Sequence, residues 1–74
     1  MNIPRAFRKQ FDAYASAGFH PVRIEHRRGS HIRAWFAEFE TPVILTANLA
    51  DPRAMANNVS AFRRLARSEG RLAA

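Results

Sequence analysis

The spacing of apolar residues changes twice along this chain, and that change restricts the fold more than any other feature. Near the start, Ile3, Phe7, Phe11 and Tyr14 recur every three or four residues, which gathers them on one face of an α-helix. Asn2 can cap such a helix, Pro4 fits its first turn and Gly18 can stop it. Arg5, Arg8, Lys9 and Asp12 fall away from the apolar face. From Pro21 the period drops to two. Val22, Ile24 and His26 alternate with Arg23, Glu25 and Arg27, and Ile32, Ala34 and Phe36 alternate with His31, Arg33 and Trp35. Alternation of this kind marks half-buried strands. Arg28-Gly29-Ser30 supplies a tight turn between the two runs, and a turn near Glu40-Thr41-Pro42 precedes a short apolar run from Val43 to Ala47. The helical period then returns. Asp51 is a good N-cap, Pro52 suits the first helical position, and Met55, Val59, Phe62 and Ala66 form a stripe with Leu65 beside it. Gly70 is the expected stop.

The pattern predicts an α+β domain in the order αβββα, with a helix over 2–17, strands over 21–28, 31–39 and 43–47, and a helix over 52–69. Three sequential strands on short connections form an antiparallel meander. Both helices must bury an apolar stripe, and one face of the sheet is the place for it. The other face is then open and carries Arg23, His31, Arg33 and Trp35; a slip of one residue in register would put Trp35 in the core instead.

A chain of 74 residues provides for a single domain with a small core. It has no cysteine, which excludes a disulfide staple and a thiolate metal site and fits a reducing compartment. His20, His26 and His31 lack zinc-site spacing, so no metal or cofactor is expected. No apolar run approaches the roughly 20 residues needed to cross a bilayer. The first residues are polar and charged, without an apolar signal segment. The expectation is a cytoplasmic protein with no membrane partner.

Charge points to the partner. There are 12 basic and 6 acidic residues, a net charge of +6 and an isoelectric point near 11.6. Lys9 is the only lysine; the other basic residues are arginine, whose planar fork suits phosphate and carboxylate. Codon bias in a GC-rich genome accounts for arginine over lysine, but not for the excess of base over acid. The sharpest pattern is on the last helix. Arg53, Asn57, Ser60, Arg64, Arg67 and Arg71 recur at alternating steps of four and three, with Arg63 adjoining, and Glu69 is the only carboxylate after the Asp51 cap. Such a stripe offers charge for counterion release and short polar groups for positioning on a phosphate backbone. It also fits a plain solvated face, although such faces ordinarily mix signs.

Two further features carry chemistry. In Arg27-Arg28-Gly29-Ser30-His31 the glycine lets a basic turn approach a phosphate, Ser30 adds a hydroxyl, and His31 can exchange a proton near neutral pH. The same five residues also read as an ordinary hairpin turn. Trp35 beside Arg33 can stack on a base or anchor a partner protein, provided it is exposed. Glu25, Glu38 and Glu40 suggest nothing beyond charge balance near the strand ends.

The stretch from Ala17-Gly18-Phe19 through Arg27-Arg28-Gly29-Ser30-His31-Ile32 resembles the HicA-type toxins of bacterial toxin–antitoxin modules. That family has a first helix ending in a Gly-Phe step, a first strand, and a Gly-Ser-His turn opening the second. Its fold resembles a double-stranded-RNA-binding domain. The resemblance implies metal-independent mRNA cleavage dependent on His31, with Gly29 and Ser30 shaping the turn, RNA rather than DNA as target, and an antitoxin as protein partner. The ending Asp51-Pro52-Arg53-Ala54, Asn57-Asn58 and Arg63-Arg64 resembles small phage-type proteins of unassigned role. It supports an alternative: a non-catalytic phage or mobile-element inhibitor of a host defence complex, of anti-restriction or anti-CRISPR type. A plain double-stranded-nucleic-acid binder is a third reading. An open sheet face also makes a dimer conceivable.

Overall fold

The computed structural model describes residues 2–47, 49 and 51–69. A single 3-10 turn, Arg5–Phe7, leads into α1 (Arg8–Ser16); β1 (Pro21–His26), β2 (His31–Phe36) and β3 (Val43–Thr46) follow, and α2 (Pro52–Ser68) closes the fold. The strands form an antiparallel sheet in the order β1-β2-β3, the meander that short connections require.

Burial alternates along β2, where Ile32, Ala34 and Phe36 are buried and His31, Arg33 and Trp35 are not. Leu45 of β3 is buried on the same side, together with Phe7, Phe11 and Tyr14 from the first helical segment and Phe62 and Ala66 from α2. Both helices therefore cover one face of the sheet. All six phenylalanines of the chain are buried. Phe62 lies at the middle of the aromatic packing, with ring centroids 4.8 Å from Tyr14, 5.1 Å from Phe36, 5.4 Å from Phe39 and 5.7 Å from Phe19.

A polar relay runs through this core. Asn58 of α2 donates to the Tyr14 hydroxyl (2.8 Å), the hydroxyl donates to Gln10 Oε1 (2.9 Å), and Gln10 Nε2 donates to the Thr46 carbonyl (2.7 Å). Gln10 and Tyr14 are fully buried, and each finds a partner, as buried polar groups must. The period of the sequence did not single out Gln10 or Asn58, because it marks only apolar positions.

Several boundaries differ from the sequence-based expectation. The helix does not begin at Asn2. The residue before a proline is pushed out of the helical region, so Ile3 cannot be helical; Pro4 instead precedes the 3-10 turn with φ −56° and ψ 144°. Its carbonyl accepts the Phe7 N–H at 2.9 Å. Gly18 does stop α1, at φ 95°. The Phe19 N–H reaches the Tyr14 carbonyl and the Gly18 N–H reaches that of Ala15, a left-handed cap that glycine adopts without strain. β1 ends at His26, not Arg28. β2 ends at Phe36, not Phe39: the backbone bends after it, Ala37 donates to the His20 carbonyl at 2.9 Å, and Phe39 turns into the core. β3 ends at Thr46 rather than Ala47 and α2 at Ser68 rather than Glu69. Val22 sits at an irregularity in the β1–β2 register and is 61 % exposed instead of facing inward. The expected stop at Gly70 lies outside the described residues.

Burial raises the Tyr14 phenol above its ordinary value, with the Asn58 hydrogen bond acting the other way. The folded chain therefore holds this proton to higher pH than the unfolded chain does. The associated stability is complete below about pH 10 and declines as pH rises beyond it. Tyr14→Phe leaves Asn58 and Gln10 without their shared partner, and we expect a loss of about 1–3 kcal/mol in urea denaturation at neutral pH. In the same experiment repeated at rising alkaline pH, the variant lacks the decline that belongs to Tyr14.

Candidate nucleic-acid interface

α2 begins where Asp51 accepts the Arg53 N–H at 3.0 Å and Pro52 occupies the first turn. Its buried residues, Met55, Phe62 and Ala66, set the orientation of everything else on the helix. At 3.6 residues per turn, Arg53, Asn57, Ser60, Arg64 and Arg67 fall on the opposite side, and all are exposed, as is Arg63 at the flank. No carboxylate occurs between Pro52 and Ser68. Arg53, Arg63, Arg64 and Arg67 make no ion pair with any described residue. Arg71 lies outside the described residues.

Glu69, at the end of α2, faces elsewhere. Its carboxylate accepts the backbone N–H groups of Glu40 and Thr41 and the Thr41 hydroxyl, pinning the β2–β3 loop to the helix end. Glu38 accepts the His20 N–H at 2.7 Å and lies 3.2 Å from its ring nitrogen. Glu25 pairs instead with Arg23 and Arg33. Glu25 and Glu38 thus hold different partners.

The β1–β2 turn gathers a second group of basic residues. The Arg27 N–H donates to the His31 carbonyl at 3.0 Å, and Gly29 adopts φ 65°, which lets the turn close between them. A shallow cleft of about 460 Å³ lies at this end of the sheet, lined by Glu25, His26, Arg27, Arg28, His31 and Ile44. His31 opens β2 opposite Thr46 and is exposed; the Ser30 carbonyl accepts the Ala47 N–H at 2.7 Å, tying the turn to the end of β3. The lining residues include two arginines and the exposed His31, side-chain types able to bind a phosphate and to move a proton beside it. The register sets His26 opposite Ile32, on the inward side that alternation in β1 gave it, whereas His31 belongs to the open face; both residues line the cleft at the strand ends.

Arg33 and Trp35 are on the open sheet face, in the register that places Trp35 opposite Arg23 and Arg33 opposite Glu25. Trp35 is half-buried there. The Arg23 guanidinium carbon lies 4.6 Å from the indole centroid and that of Arg33 5.9 Å, within cation–π range. Glu25 pairs with both arginines, at 3.4 Å and 3.7 Å.

The structure thus brings Arg27, Arg28 and His31 together, with Arg33 and Trp35 on the same open face. It does not bring the α2 arginines to them. Because α2 packs its apolar stripe against the covered face of the sheet, its arginine stripe points the other way, and the two basic surfaces lie back to back. No protein-family model, no curated protein and no solved structure matches the chain. Among the described residues, no helix is long and apolar enough to cross a membrane.

A side chain at Gly29 would meet nothing within 4 Å, so substitution there tests backbone conformation alone. We expect Gly29→Ala to cost about 1 kcal/mol, the left-handed penalty, and Gly29→Asn distinctly less, both read from urea denaturation midpoints.

Proposed function

We propose that this chain binds nucleic acid through the phosphate backbone, with RNA preferred. The observation that carries the reading is the outer face of α2: four exposed arginines, Arg53, Arg63, Arg64 and Arg67, on a helix without a carboxylate. Like charges kept this close together on a helix repel one another, and a polyanion relieves that repulsion while its counterions are released. Asn57 and Ser60 on the same face supply neutral hydrogen-bonding groups that position a backbone. The preference for RNA rests on the resemblance of the Gly18-Phe19 step and the Gly29-Ser30-His31 turn to HicA-type toxins.

A second reading has its own support in the cleft that His31 shares with His26, Arg27 and Arg28. There His31 would act as general base or acid in metal-independent RNA cleavage. It would take the proton of the 2′-hydroxyl as the 2′-oxygen–phosphorus bond forms, or give one to the 5′-oxygen as its bond to phosphorus breaks. Arg27 and Arg28 would stabilise the charge gathering on the phosphate.

Fluorescence anisotropy with a labelled stem-loop RNA tests the first reading. Four arginine–phosphate contacts predict a slope of roughly −3 in log K against log salt. Arg64→Glu with Arg67→Glu should weaken binding more than tenfold and flatten the slope; unchanged affinity in the double variant would sink the assignment of α2. End-labelled RNA incubated in EDTA tests the second. Cleavage by the wild type that disappears in His31→Ala supports it. No cleavage by the wild type removes catalysis, leaving a binder; if no RNA is bound either, a protein-directed inhibitor of a host defence complex becomes the reading to pursue.

A further inference from the structure

We infer that the open face of the sheet is a platform for single-stranded RNA, on which Trp35 stacks an unpaired base. The inference rests on the nucleic-acid reading above and adds to it a second surface, with a different form of ligand from the one α2 suits.

Three observations lead there. Trp35 is on the central strand of the sheet, on the face that neither helix covers. A large aromatic side chain left at such a position is a stacking surface. Its indole is already accompanied by planar cations, with Arg23 at 4.6 Å and Arg33 at 5.9 Å from the ring centroid, and Ile44 beside Arg33 in the register is 53 % exposed. The charge of the face is the third. The strands contain one carboxylate, Glu25, and both Arg23 and Arg33 share it. Two guanidiniums divided over one carboxylate keep an excess of positive charge around the ring. A ligand that fits must combine flat rings with regularly spaced negative charge, which describes a nucleic-acid strand.

The same geometry selects a single strand over a duplex. Inside a duplex the flat faces of the bases are stacked on one another, and only edges and backbone reach the protein. Stacking on Trp35 needs a base that is free of its neighbours, and unpaired RNA offers this. His31 lies on the same face four residues along β2, about 13 Å away at the usual rise per residue, with Arg33 between them. A strand lying along β2 therefore passes from the indole over Arg33 to the cleft that holds His31, Arg27 and Arg28.

The chain has one tryptophan, so its fluorescence reports this face alone. The experiment titrates the intact protein with a short oligouridylate and, separately, with an RNA duplex of the same length, following tryptophan emission and the anisotropy of the labelled RNA. We expect saturable quenching by the oligouridylate and none by the duplex, which α2 binds on the far side. Trp35→Ala should weaken oligouridylate binding about tenfold, the value of one base stack, and leave duplex affinity unchanged; Trp35→Phe should recover part of the loss. Far-UV circular dichroism confirms that the variants fold, and the quenching result needs no variant. Duplex that quenches as strongly as single strand, or Trp35→Ala that binds oligouridylate like the wild type, would overturn this inference and leave the α2 reading standing. A wild type that binds neither RNA would overturn both.

Discussion

The tertiary structure depends on what surrounds Tyr14. Its ring lies edge-on to Phe62, Phe36 and Phe11, at 4.8, 6.2 and 5.9 Å, so one side chain touches both helices and the central strand. Its hydroxyl, fully buried, sits between Asn58 and Gln10, and Gln10 continues the chain to the Thr46 carbonyl. Apolar packing alone holds helices to a sheet with some freedom to slide, because dispersion has little directionality. A hydrogen-bonded relay through the same core removes that freedom, since any displacement strands a buried polar group at a cost of a few kcal/mol. In a domain this small, where the whole stability is of the order of 4–11 kcal/mol, such a relay decides how α2 is rotated about its own axis.

That rotation determines where the charge goes. With Met55, Phe62 and Ala66 turned into the core, the arginine stripe has only one direction left, away from the sheet. The arginines of β1 and β2 are turned outward on the opposite side by the same alternation that buries Ile32, Ala34 and Phe36. A two-layer fold with an apolar centre thus divides a strongly basic chain into two basic surfaces, one helical and one on the sheet.

The carboxylates sharpen this division. Asp51 caps α2, Glu69 holds the β2–β3 loop, and Glu38 holds His20. These three serve local structure at the ends of elements. Glu25 lies within the basic sheet face, and two arginines share it. α2 itself carries no carboxylate and the strands carry one, a property that net charge by itself does not convey.

The order αβββα, the antiparallel meander and the apolar stripes were legible in the sequence, because period and turn chemistry are local: Gly18 and Gly29 stand where the backbone takes positive φ, and Asp51-Pro52 opens a helix by its own side chains. The exposure of the α2 stripe was legible for the same reason, as it is the complement of an apolar stripe. The start of the first helix was misread because the restriction Pro4 places on Ile3 competes with capping by Asn2. The end of β2 was misread because Phe39 continues the apolar alternation while its backbone has already turned. Only the tertiary structure decided the rest. It set Glu25 between Arg23 and Arg33, Tyr14 between Gln10 and Asn58, and the two arginine surfaces back to back. Each of these joins residues distant in the chain or on different elements, and their meeting depends on strand register and helix rotation, which are properties of the packed core and not of any segment within it.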